Sequence, residues 1–263
     1  MKYYCHECNE LLNEVKIPRC KKCESVFELY YNYDKTNHIL KELFENKKIN
    51  HWRYHGFMPI NYHNIPIIFT MDEGGTPLLN VNKLRMNHSS DLYFKCEFQN
   101  PTGSFKDRAS ALEVTLAQGY DEIVVATTGN MGASLAAYAA LAGIKIIIFV
   151  PKEIHNTKIE QMEMYGAKIN YIKGNYTDAL LAAEQYYLDH KNVYLAGDYG
   201  VRVEGTKSIG FEIADQLKWN APDYIIVPVG NGMLLYSIYK SFQDLHMMKI
   251  INNIPKINGI KTG

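Results

Sequence analysis

Four cysteines near the start of the chain stand in two pairs, Cys5-His6-Glu7-Cys8 and Cys20-Lys21-Lys22-Cys23. A CxxC turn brings two thiolates onto one ion at a bond length of about 2.3 Å, and a second turn completes a tetrahedron. The pattern therefore predicts a structural zinc site made by Cys5, Cys8, Cys20 and Cys23, although the loop between the pairs is shorter than the roughly 15 to 20 residues common between such turns. A redox pair and a ribbon without metal are the rival readings. Redox motifs come singly beside a βαβ unit, whereas here two pairs share a polar segment too small to build its own core. The fifth cysteine, Cys96, lies in the strand-like stretch Tyr93–Glu97 and reads as a small buried hydrophobe.

A second centre is Asn100-Pro101-Thr102-Gly103-Ser104-Phe105-Lys106-Asp107-Arg108, which offers a lysine on a turn entering a helix. Surroundings that lower the pKa of such a lysine free its amine for a Schiff base. Alone, Lys106 would read as a solvated lysine between charged neighbours. It is followed by Thr127-Thr128-Gly129-Asn130-Met131-Gly132-Ala133, a glycine-punctuated turn from a strand into a helix. Backbone N–H groups at such a helix start converge on an anion, and Asn130 adds a side-chain donor. Gly230-Asn231-Gly232-Met233-Leu234 repeats the arrangement after a later strand and is the natural place for a phosphate. Either glycine loop taken singly is as easily a packing device.

The elements that must position these residues follow from the periodicity. Apolar runs at Ile123–Ala126, Ile144–Val150, Ile169–Ile172, Val193–Leu195 and Ile225–Val229 predict strands. The stretches Ala109–Gln118, Ala133–Ala142, Thr157–Met164, Thr177–Asp189, Lys207–Leu217 and Leu234–Phe242 predict helices between them. Strict alternation, with strands apolar on both faces, predicts a parallel sheet covered on two sides, with ligands at the carboxyl ends of its strands. A boundary is expected near Leu29, dividing a zinc ribbon at 1–29 from a catalytic region at 30–263; the Tyr-, His- and Asn-rich segment Asn32–Pro66 reads as an arm or irregular cover.

Of the 263 residues, 47% are hydrophobic and 28 basic residues balance 28 acidic ones. The first figure allows a large core, and the second supplies no field that favours nucleic acid or an anionic membrane. The longest apolar runs are strand length, below the roughly 20 residues of a membrane span. The residues Met1–Asn9 lack the apolar run of a secretion signal, so a cytoplasmic location is expected.

Taken together, these segments resemble the type II fold of pyridoxal-phosphate enzymes, and most closely threonine synthases. The resemblance runs through Glu73-Gly74-Gly75-Thr76-Pro77-Leu78, Phe94–Arg108, Thr128–Gly132, Val203-Glu204-Gly205-Thr206-Lys207-Ser208 and Val227–Gly232, in the family's order over roughly residues 70 to 263. An amino-terminal cysteine ribbon is similar to that of many family members. The resemblance implies that Lys106 carries pyridoxal phosphate, that Asn130 hydrogen-bonds its phenolic oxygen, and that Gly230, Asn231, Gly232, Met233 and Leu234 hold its phosphate. It places Thr127, Thr128 and Arg202 at the substrate. A guanidinium at Arg202 suits a substrate phosphate, while an ordinary solvent-facing arginine is the alternative.

The reaction so implied converts O-phospho-L-homoserine and water to L-threonine and phosphate. Cysteate synthase, threonine dehydratase and diaminopropionate-forming activities share the same lysine and loops, and a non-catalytic paralogue is the reading from a different class. Three departures from the family pattern bear on this. Met233 and Leu234 stand where glycine and asparagine are usual, Gly197-Asp198-Tyr199-Gly200 replaces a polar segment, and family members continue for about another hundred residues beyond Gly263. Low activity of the 263-residue chain alone is therefore expected. The sequence leaves the oligomeric state open, a homodimer being one arrangement.

Overall fold

The computed structural model describes residues 2–13, 18–30, 48–60, 67–82, 91–153 and 157–261. Its strands are β1 (Tyr3–Cys5), β2 (Glu10–Leu12), β3 (Glu28–Leu29), β4 (Leu78–Asn80), β5 (Tyr93–Lys95), β6 (Glu122–Ala126), β7 (Lys145–Pro151), β8 (Lys168–Ile172), β9 (Val193–Leu195), β10 (Tyr224–Pro228) and β11 (Lys256–Ile260). Its α-helices are α1 (Lys106–Leu116), α2 (Asn130–Ala142), α3 (Thr157–Met164), α4 (Tyr176–Asp189), α5 (Gly200–Thr206), α6 (Ser208–Gln216) and α7 (Met233–Met247). The chain divides into two units. One contains residues 1–31, 58–71 and 106–205, and the other 32–57, 72–105 and 206–263.

In the first unit, parallel strands lie in the order β8-β7-β6-β9. Ile123, Val124 and Val125 of β6 are all buried, as are Ile146 to Val150 of β7. Burial of consecutive residues means that both faces are covered, which explains why these strands read as continuous apolar runs. On one face Ala179 and Ala183 of α4 pack with Val124, Ala126, Ile147, Phe149 and Val193; the small side chains let the helix sit close. The start of α4 is fixed by a capping box, in which Asn175 accepts from Thr177 N and Asp178 N while Asp178 accepts from Asn175 N. Helix α2 is buried along most of its length and is alanine-rich, as a helix packed on every side must be.

The chain progresses from β6 to β7 to β8 on one side and returns with β9 on the other. The strand order therefore reverses at β6, and a crevice opens at the carboxyl ends of strands flanking such a switch point. The loops leaving β6 and β9 are Thr127–Gly129 and Ala196–Tyr199. The antiparallel ribbon β2-β1-β3 belongs to this same unit.

The second unit carries the parallel pair β10-β11, the antiparallel pair β4-β5, helices α6 and α7, and a 3-10 helix at His51–Phe57. Glu212 of α6 organises it. Its carboxylate accepts from Gly75 N at 2.9 Å and from Lys95 Nζ, which also donates to Thr76 O at 2.7 Å. Gly75 has φ +61, and a Cβ there would lie 2.5 Å from Ile49 O. The Glu73–Leu78 motif thus requires glycine for backbone packing. Lys207 Nζ and Asp244 form a buried pair at 2.6 Å that ties the start of α6 to α7.

The five predicted sheet strands are present, and the structure adjusts three other expectations. Helix α1 begins at Lys106, three residues before the periodicity suggested, because a first turn carries little apolar signal. Helix α5 and strand β11 were not predicted, α5 being too short to show a period and β11 being interrupted by Asn258 and Gly259 and mostly exposed. The strand predicted at Tyr93–Glu97 stops at Lys95, leaving Cys96 buried just beyond it. Most of the segment expected as an irregular arm lies outside the described residues; of the rest, His51–Phe57 is helical.

A Cβ on Gly205 of α5 would lie 2.7 Å from Ala109 Cα of α1. Alanine outranks glycine as a helix former by about 1 kcal/mol, but forcing two backbones apart costs about 1–3 kcal/mol. Gly205→Ala is therefore expected to lower the urea midpoint; an unchanged or raised midpoint would show that the two helices do not pack this closely.

Candidate active site

Lys106 is the first residue of α1 and is half-buried. Burial holds its amine below the ordinary lysine range, and the Arg202 charge acts in the same direction, while Asp198 and Glu113 pull the other way. The partial positive charge of a helix amino terminus also disfavours an ammonium ion at this position. A lysine in these surroundings is suited to react as a free amine.

The next residue anchors it. Asp107 is buried and accepts a 2.6 Å hydrogen bond from Ser134 Oγ of α2. This links the first turn of α1 to the first turns of α2, whose first residue is Asn130. Ahead of α2, Thr127 is buried, Thr128 is half-buried and Asn130 is exposed. A Cβ at Gly129 would meet nothing within 4 Å, whereas one at Gly132 would lie 2.6 Å from Thr127 Cγ2 and 2.5 Å from Met162 Cε. Two glycines of one motif thus do different work: Gly129 borders open space, and Gly132 allows the helix to pack.

Arg202 does not face solvent. It is fully buried on α5, and its guanidinium donates to the Glu113 carboxylate of α1. The other Glu113 oxygen accepts from Gly197 N at 3.2 Å. Burial pushes the Glu113 carboxyl up, and Arg202 and the Gly197 amide pull it back. Glu113 also borders a cavity of about 280 Å³ with Tyr3, Tyr120, Tyr187, Tyr194 and Tyr199 among its lining residues. Glu113 and Asp198 were not singled out from sequence. The available signal was the spacing of Lys106 and Glu113, seven residues apart on one helix face, with the glutamate inside the largely apolar run Ala111–Leu116.

In the second unit, Gly230–Gly232 leads from β10 into α7. Gly232 has φ +90, and Met233 N donates to Asn231 Oδ1 at 3.2 Å. A Cβ at Gly230 or Gly232 would meet nothing within 4 Å, so the loop offers an open backbone at a helix start. Met233 is buried and Leu234 half-buried, which leaves their contribution to an anion mainly to the backbone.

The four amino-terminal cysteines converge, with their sulfur atoms within 4.8 Å of one another. Cys5 Sγ and Cys23 Sγ are 3.5 Å apart, far longer than the roughly 2.05 Å of a disulfide. Tetrahedral ligands at about 2.3 Å from one ion would lie about 3.8 Å from each other. This cluster could hold a metal ion, and its donor set fits zinc.

Comparison with known proteins now bears on these features. Residues 69–262 match the model of the family described as pyridoxal-phosphate dependent enzyme. Threonine synthase from Methanocaldococcus jannaschii is 38% identical over 98% of this chain and 64% of its own length. Threonine synthase from Methanosarcina acetivorans is 37% identical with the same coverage. The chain thus spans under two thirds of the length of these relatives. A fungal L-serine ammonia-lyase from Rhizomucor miehei superposes with a TM-score of 0.60 at 26% identity, covering 71% of this chain and 59% of that one. The processed form of threonine deaminase isoform 2 from Solanum lycopersicum gives 0.61 at 19% identity, covering 89% and 58%; that similarity concerns the fold. The residues present fit pyridoxal phosphate: a half-buried amine of lowered basicity, and two open glycine loops at helix starts.

Ser134→Ala would leave the buried Asp107 carboxylate without that donor. A stability loss of about 1–3 kcal/mol is expected by urea denaturation. A loss below about 0.5 kcal/mol, the level of a neutral surface change, would mean that this bond does not anchor α1 to α2.

Proposed function

We propose, from the premise that this chain belongs to the pyridoxal-phosphate dependent enzyme family, that it converts O-phospho-L-homoserine and water to L-threonine and phosphate in the cytoplasm. The observation that carries this reading is 38% identity to a threonine synthase along 98% of the chain, ribbon included. That similarity spans nearly the whole chain, whereas the ammonia-lyase is 26% identical over 71% of it. No helix among the described residues is long and apolar enough to cross a membrane.

Each residue then takes a role suited to its chemistry. Lys106 would hold the cofactor through its amine and would remove and return the substrate proton; burial disfavours its ammonium form. Asn130 donates to the cofactor's phenolic oxygen, and the backbone of Gly230, Asn231, Gly232, Met233 and Leu234 holds its phosphate. Thr127 and Thr128 serve the substrate at the end of β6. When bound, pyridoxal phosphate supplies an electron sink for the carbon that loses its proton. Phosphate leaves the γ-carbon of the substrate and water adds at its β-carbon. Arg202 would serve the substrate phosphate while its Nη2 holds the Glu113 carboxylate. Residues 1–29 form the zinc ribbon of this scheme and 30–263 its cofactor-binding region.

Borohydride reduction in the presence of pyridoxal phosphate, followed by peptide mapping, is expected to place the label on Lys106. Label on another lysine and none on Lys106 would overturn the site. With O-phospho-L-homoserine, equal amounts of phosphate and L-threonine are expected, and Lys106→Ala should lower that rate by at least about 10²–10⁴-fold. Release of ammonia from threonine, without phosphate release from the phosphorylated substrate, would assign the chain to a different activity of the family.

The ribbon is expected to bind about one zinc ion per chain, as two CxxC turns make one closed site. Metal analysis of the Cys5→Ser, Cys23→Ser double variant should find almost none. Unchanged zinc content would exclude these sulfurs as the ligands.

A further inference from the structure

We propose that Glu113 and Arg202 are positioning residues for Lys106: a buried pair of opposite charges, linking α1 to α5, that fixes the place of the lysine and the balance of charge around its amine. The inference deepens the role given to Lys106 above and rests on it for its meaning in the reaction. The charge balance itself belongs to the chain without cofactor and can be measured there.

The geometry begins on α1. Lys106 and Glu113 stand seven residues apart, which is two turns and one face. Helix α5 packs against this helix at glycine distance, since a Cβ on Gly205 would lie 2.7 Å from Ala109 Cα and 3.1 Å from Arg108 O. One turn earlier on α5, Arg202 reaches Glu113, so the close packing and the ion pair fix the two helices at successive turns. The second Glu113 oxygen holds Gly197 N, and thereby the loop that contains Asp198. A single carboxylate thus fixes both the cation and the neighbouring anion that act on Lys106.

The charges that act on Lys106 are those of Arg202 on α5, Asp198 in the loop after β9, and Glu113 two turns along its own helix. Those facing Glu113 are Arg202, Asp198 and the Tyr194 phenol of β9, which burial and the Glu113 charge push well up. Arg202 makes the ammonium form of Lys106 less favourable, and the two carboxylates make it more so. A pair that served packing alone could be replaced by apolar side chains of similar volume. Here the pair stands among the charges that govern the amine.

The consequence is a pair of opposite effects. Glu113→Gln removes a negative charge and should move the titration of Lys106 to lower pH. Arg202→Met removes the positive charge and should move it to higher pH. The measurement is the rate of acetylation of Lys106 by acetic anhydride in the cofactor-free chain, followed by mass spectrometry from neutral to alkaline pH. Each single variant is expected to shift the limb by about 1 pH unit, roughly tenfold in rate at a fixed pH on that limb. The double variant, which leaves no unpaired buried charge and so protects the fold, should titrate between the two. The rate at which added pyridoxal phosphate develops its bound-state absorbance should follow the same order.

Shifts in the same direction in both single variants, or no shift in either folded single variant, would overturn the inference, because loss of packing has no sign. The reading of Lys106 as the cofactor's residue fails separately, by the absence of borohydride label on Lys106 while its acetylation titration still responds to the two substitutions.

Discussion

The first unit places a lysine amine where its charged form is disfavoured. Burial, a nearby cation and a helix amino terminus each make an ammonium ion less favourable. Lys106 has all three, opposed by the Asp198 and Glu113 carboxylates. Each brings its own structural demand: burial needs the packed faces of α1 and α2, and the cation needs a buried carboxylate to hold it. The Arg202–Glu113 pair and the Asp107–Ser134 bond meet those demands on neighbouring turns.

The sheet determines where such a lysine can be useful. Because β9 returns to the side of β6 opposite β7, the loops leaving β6 and β9 flank the switch point. The first loop brings Thr127, Thr128 and the start of α2; the second brings Asp198 and leads into α5 with Arg202. Neither loop could be exchanged with the connection after β7 without moving away from the reversal. The glycine pattern follows the same logic, with Gly132 small for packing and Gly129 open toward space a ligand can enter.

The alternation of strands and helices was legible because β6 and β7 are buried on both faces and α2 is buried along most of its length, giving long, unbroken apolar signals. The cysteine pairs and the glycine loops were legible because their chemistry depends on spacing along the chain. Glu113 was not, since a glutamate in a helix is ordinarily a solvated side chain, and its partner lies 89 positions later. The same distance hid the partner of Arg202: the solvent-facing alternative is ruled out by its burial, and the pair with Glu113 could not be read from the sequence. Glu212, which receives Gly75 N and Lys95 Nζ in the second unit, was missed for the same reason.

The ribbon also belongs to the physics of the lysine. Strand β9 is an edge of its sheet, and an exposed edge of unpaired backbone groups invites association with other strands. Tyr3 and Pro18 of the ribbon line a cavity together with Val193, Tyr194 and Leu195 of that strand. Beyond it, a Cβ on Gly200 would lie 2.6 Å from Phe27 O, so the start of α5 is pressed against the ribbon backbone. Arg19 adds a hydrogen bond to Glu184 at 3.0 Å, and Glu184 in turn accepts from the Tyr199 hydroxyl at 2.7 Å. Tyr199 and Gly200 are the residues from which α5 departs toward Arg202. A segment too small to fold on hydrophobic burial needs another source of order, and four converged sulfurs supply ligands for a metal that would provide it. The order of the ribbon then extends, through Phe27 and Arg19, to the helix that carries Arg202.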